Sequence, residues 1–132
     1  MAYLKCLGSA PSSGSITRDV LWEYTESYSS NFPGTQDIEL SGNIGDYDYI
    51  EFLTISNQNS EMQERTYAFT SDDIQASVGD DNTLVAIVAV GSYGSRHRTI
   101  RYVSETELTI TYLNSAQATK YCIPSKITGV KL

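Results

Sequence analysis

One histidine stands in the whole chain, His97, set between Arg96 and Arg98. Proton transfer in catalysis uses histidine more than any other side chain, and a serine–histidine–acid arrangement here would have to recruit this one. Ser92 and Ser95 lie close by, but the run Gly91-Ser92-Tyr93-Gly94-Ser95 is not a nucleophile elbow. The two flanking arginines disfavour a protonated imidazole. His97 therefore reads as a solvent-facing strand or turn residue. Carboxylates are more numerous. Asp46 with Asp48, and Asp37 with Glu39, stand two apart, which puts each pair on one face of a strand. Paired carboxylates hydrolyse glycosides when they flank a sugar at the right separation, but acidic pairs on strands more commonly guard a solvated edge. Asp72-Asp73 and Asp80-Asp81-Asn82 offer oxygens to a hard cation such as Ca²⁺, without the spacing of an EF-hand. Turn formation through local backbone hydrogen bonds is the preferred reading of them. No glycine loop for phosphate is present. The expectation is a chain that is not an enzyme, with no catalytic residue, no metal and no cofactor.

Binding chemistry is better represented. Arg96, Arg98 and Arg101 form the one basic cluster, with Arg96 and Arg98 on a common strand face. Guanidinium groups suit phosphate and carboxylate, so this cluster is a candidate contact for anionic surface polymers. The competing reading pairs it with the acidic part of the chain. Ten tyrosines stand against three phenylalanines and one tryptophan. A ring with a hydroxyl suits positions that are apolar on one side and wet on the other, as at interfaces and sugar sites. Tyr24, Tyr28 and Tyr93 are the tyrosines expected to be exposed. With Arg96 and Arg98 they make up the candidate binding set.

The 132 residues fit one domain, long enough to bury a core without a staple. Formal net charge is −7, which argues against nucleic acid as a partner. The charge is uneven: residues 1–81 balance to −11 and residues 82–132 to +4. Strands from the two parts are expected to interleave and largely neutralise each other. The longest apolar run, residues 84–90, is far short of a bilayer span, so membrane insertion is not expected. No signal peptide is visible at the N-terminus. Cys6 and Cys122 read as two buried reduced thiols; a disulfide closing so long a loop would contribute up to ~5 kcal/mol.

The elements that must position these residues are strands. Candidates cover 20–24, 36–40, 47–55, 65–70, 84–90, 96–103, 107–113, 120–123 and 126–132, divided by Gly, Ser, Asn, Asp or Pro. About eight to nine short strands at this spacing predict an all-β antiparallel β-sandwich, jelly-roll-like, over residues 17–132. Residues 1–16 read as an N-terminal arm and flexible linker. The one helix candidate is 71–76, with Ser71 as its N-cap. Residues 84–90, apolar on both faces, read as a central strand. Leu108, Ile110 and Tyr112 are assigned inward. Pro124 predicts a bend at which the chain crosses between sheets, or a strand on an edge. The final residues alternate without a polar tail, which predicts a terminus docked in a sheet.

Leu21-Trp22-Glu23, Tyr47-Asp48-Tyr49-Ile50 and the closing run Tyr121-Cys122-Ile123-Pro124-Ser125-Lys126-Ile127-Thr128-Gly129-Val130-Lys131-Leu132 carry a family resemblance. Together they resemble small virion structural proteins and fibre-tip modules, of tail-fibre or head-fibre type, from bacteriophages of Gram-positive bacteria. The resemblance implies a β-sandwich displayed on the virion, assembled in the bacterial cytoplasm with other phage virion proteins, often as a homotrimer. It implies either contact with host cell-wall glycans during adsorption or a purely structural role in capsid decoration or head-fibre assembly. It transfers no binding residue. No heptad shaft is present, and Leu21-Trp22 lies close to Met1, so a separate small virion protein anchored by its arm is the expected form.

Overall fold

A computed structural model describes residues 15–25, 35–58, 61–78, 86–91, 94–112 and 122–132. Residues 1–14 of the predicted arm, Cys6 among them, and Asp80-Asp81-Asn82 lie outside the described residues. Among the described residues, eight strands form two four-stranded antiparallel sheets. The first has the order β1 (Thr17–Glu23), β8 (Ile123–Lys131), β3 (Tyr49–Gln58), β4 (Glu61–Thr70). The second has the order β2 (Thr35–Glu39), β7 (Glu107–Tyr112), β6 (Gly94–Ser104), β5 (Ala86–Gly91). The all-β sandwich expected from the strand spacing is therefore the fold. Its end strands are nested as in a jelly roll, β1 beside β8 and β2 beside β7. Its middle departs from that pattern, because β3–β4 and β5–β6 are plain hairpins within one sheet.

Alternation decides which side chains meet between the sheets. On β3, Ile50 and Phe52 point inward and are fully buried, while Tyr49, Glu51 and Leu53 take the outer face. Ile127 of β8 lies opposite both Phe52 and Trp22 in the register, so the inner rows of three strands coincide. From the other sheet come Ile38, Ile100, Leu108 and Ile110, all buried, as assigned for the last two. Truncating Phe52 to alanine in such a site costs about 3–5 kcal/mol. A one-turn 3-10 helix, Ile44–Asp46, and α1 (Ser71–Gln75) close one end of the core with Ile44 and Ile74. The α1 cap is Thr70, whose hydroxyl accepts from the Asp73 amide at 3.1 Å, one residue before the expected Ser71. Asp72 and Asp73 occupy the first turn, where the helix dipole favours them.

Three expectations are corrected. Pro124 does not carry the chain between sheets. Residues 123–131 form one strand, and the change of sheet falls between Tyr112 and Ile123. The proline is accommodated by a bulge: Leu53 pairs with Lys126 but Thr54 pairs with Pro124, leaving Ser125 extra. Cys122 enters the strand at φ 55, buried, with its amide donating to Ser56 Oγ at 2.9 Å. The 84–90 segment is not central: among the described residues β5 has β6 as its one neighbour, so it is an edge strand. Asp46 and Asp48 do not share a strand face, since Asp46 sits in the 3-10 turn and Asp48 just before β3. The interleaving of charge holds, because β8 from the basic part lies between β1 and β3 from the acidic part.

Candidate functional site

The outer face of the first sheet is built in rows, because residues paired across antiparallel strands point to the same side. Arg18, Val130, Tyr49 and Thr70 make one row, and Val20, Thr128, Glu51 and Ala68 the next. A bulge at Leu21 resets β1, so that Glu23, Lys126, Leu53 and Thr66 make the third. Between these rows lies an open depression of about 310 Å³. Lys126, Thr128, Leu53 and Thr66 line it together with Arg18, Val20 and Glu51. Arg18 Nη1 reaches across β8 to Glu51 Oε1 at 2.5 Å, the ion pair that organises this face. Tyr49 is 38% exposed one row away, and Val20 51% exposed on the rim. The face thus combines an aromatic ring, two cations, one carboxylate and two hydroxyls on rigid strands. Such a set can hydrogen-bond hydroxyl and oxyanion groups while an apolar edge packs on Tyr49, Leu53 and Val20.

The residues singled out from sequence that the structure describes fall elsewhere. Arg98 is 0% exposed in β6, the largest fully buried side chain among the described residues, so its guanidinium is withdrawn from any surface polymer. An arginine on a strand with apolar neighbours at every second position can be drawn inward with them, and here Arg98 and Ile100 are both buried. Arg96 lies in β6 opposite Ala89, in the strand that edge-strand β5 pairs with. Tyr24 is half-buried: its ring stacks on Trp22 at 6.2 Å between centroids, and its amide donates to the Ser125 carbonyl. Tyr28 and Tyr93 lie outside the described residues. Arg18, Tyr49 and Lys126 were the residues missed. The alternation Tyr49, Glu51, Leu53 was the signal available for part of this face.

The other polar groups are tied into the scaffold. Glu105, in the β6–β7 turn, accepts from Tyr102 OH at 2.7 Å, from Gln75 Nε2 at 2.8 Å and from the Gly45 amide at 2.8 Å. These bonds, the tyrosine first, hold its carboxyl below the ordinary value. The same bond, with some burial, pushes the Tyr102 phenol up. Tyr47 OH donates to Asp19 Oδ2 at 2.8 Å, and that bond, then burial and the charges of Asp19 and Asp46, raises the Tyr47 phenol. Asp37 accepts from Thr109 Oγ1, and Asp48 from the Leu132 amide, each at 2.8 Å. Of the carboxylates considered for glycoside hydrolysis, Asp37 therefore serves strand pairing and Asp48 the C-terminus. Among the described residues no group of three or more His, Cys, Asp or Glu side chains is placed to hold a metal ion. No described helix is long and apolar enough to cross a membrane. No protein-family model matches the chain, and comparison with curated proteins finds no match.

Proposed function

We propose that this chain is a bacteriophage virion structural protein exposed on the particle, a fibre or decoration component, and that its sandwich contacts host cell-surface glycans during adsorption. The observation that carries the glycan reading is the outer face of the first sheet, where exposed Tyr49 stands beside a depression lined by Arg18, Glu51, Lys126 and two threonines. The three stretches behind the phage resemblance also fall together. Leu21-Trp22-Glu23 lies in β1, Tyr49-Ile50 in β3 and most of the closing run in β8, which are neighbours in that same sheet. Purified protein should adsorb to Gram-positive cell walls and be displaced by soluble wall polysaccharide. Failure to adsorb at any concentration that saturates a virion would remove the reading.

A second reading is a purely structural decoration or head-fibre protein, working as a homotrimer with other virion proteins. The feature behind it is β5, Ala-Ile-Val-Ala-Val-Gly, an edge among the described residues with no charge and no proline in its sequence. The other edges carry charges, a bulge or both. Binding to particles lacking the protein, with none to cell walls, would favour this second reading.

A further inference from the structure

We infer that the depression on the outer face of the first sheet recognises an oxyanion carried on a sugar or polyol chain, with Lys126 as its charged contact. The inference rests on the glycan reading and narrows it to acidic ligands. Glu51 already has its counter-charge in Arg18, at 2.5 Å. Lys126 does not. It is half-buried on β8, a strand inside the sheet, with Leu53 opposite on one side and Glu23 on the other. Lys126 forms no ion pair or side-chain hydrogen bond among the described residues, with Glu23 or with any other group. The hydroxyls of Thr66 and Thr128 on the same depression likewise make no side-chain hydrogen bond among the described residues.

Among the described residues the Lys126 ammonium has no counter-charge, and a bound anion would supply one. The two hydroxyls add neutral donors and acceptors beside it. Leu53 and the rim residue Val20 give an apolar patch that a bare inorganic ion would leave uncovered. At about 310 Å³ the space suits a small organic group, at the lower end of ligand sites of roughly 300–1,000 Å³. A carboxylate or phosphate attached to a hydroxylated carbon skeleton satisfies all three features together. A neutral sugar satisfies the threonines and the apolar patch only.

The test is calorimetric titration of the full chain with four probes: oligogalacturonate, a glycerol phosphate oligomer, a neutral maltooligosaccharide and anionic phospholipid vesicles. At least one acidic probe is expected to bind roughly tenfold or more tightly than the neutral one, with affinity falling as salt rises. Which acidic probe binds distinguishes carboxylate from phosphate. Lys126→Gln should remove the preference and Lys126→Arg should keep most of it, both at unchanged melting temperature. Equal binding of neutral and acidic probes, or an unaffected preference in Lys126→Gln, overturns the inference and leaves the glycan reading standing. No binding of any saccharide overturns both. Binding to anionic phospholipid vesicles without binding to either acidic oligomer also overturns it.

Discussion

Gly129 and Tyr47 make a contact that a methyl group cannot share. A Cβ built on Gly129 would stand 2.6 Å from ring atoms of Tyr47, and that ring is anchored by its hydroxyl to Asp19. Gly129→Ala should therefore destabilise the fold by about 1–3 kcal/mol, the usual cost of overpacking, read from denaturant unfolding. Glu105 makes a second residue-scale case. Its carboxyl is held below the ordinary 4.5 by three donors, so its contribution is complete above that value and fades as pH falls through the folded value. Glu105→Gln should cost about 1 kcal/mol near neutral pH, and the gap to the parent protein should close in acid. The tyrosines work in the opposite direction. Tyr47 and Tyr102 are raised above 10.0 in the folded chain, so the unfolded chain ionises first and stability should fall as pH rises past that value. Replacing both by phenylalanine should flatten that alkaline slope in thermal melts.

At the scale of elements, β8 is the strand on which the first sheet depends. It pairs with β1 along one side and with β3 along the other, and its Ile127 and Val130 are buried. The Leu132 amide is held by Asp48. Deleting residues 126–132 should abolish the cooperative melting transition; a soluble truncated protein with its transition intact would refute that dependence. The docking of this strand was legible because residues 126–132 alternate and end without a polar tail, as the cleanly alternating Leu108 and Ile110 made their own buried face legible. Its continuity through Pro124 was not legible, because a bulge at Ser125 is set by the partner strand β3 and not by the local residues. The edge position of β5 escaped for the same kind of reason. An apolar strand of six residues reads alike in the middle or at the margin of a sheet, and only long-range pairing separates the two.

At the scale of the whole molecule, one sheet supplies both a share of the buried core and the solvent-facing depression. Trp22, Ile127 and Phe52 share an inner row, and Val20, Thr128 and Glu51 share an outer one. The composition pointed to a binding protein, but the set expected to bind was drawn from three tyrosines and from one basic cluster. Arg98 left that set by being buried, and Tyr24 by stacking on Trp22. On β3 both faces carry mixed residues, so alternation alone separated Tyr49 from Ile50 without saying which side meets water. That decision belongs to the opposite sheet.

The most direct test is a backbone-amide NMR titration of the full chain with soluble cell-wall polysaccharide from a Gram-positive bacterium. Shift changes are predicted to cluster on β1, β8 and β3 around Arg18, Thr128, Lys126 and Tyr49. No shift changes at all, or changes confined to the β5–β6 hairpin, would contradict the account.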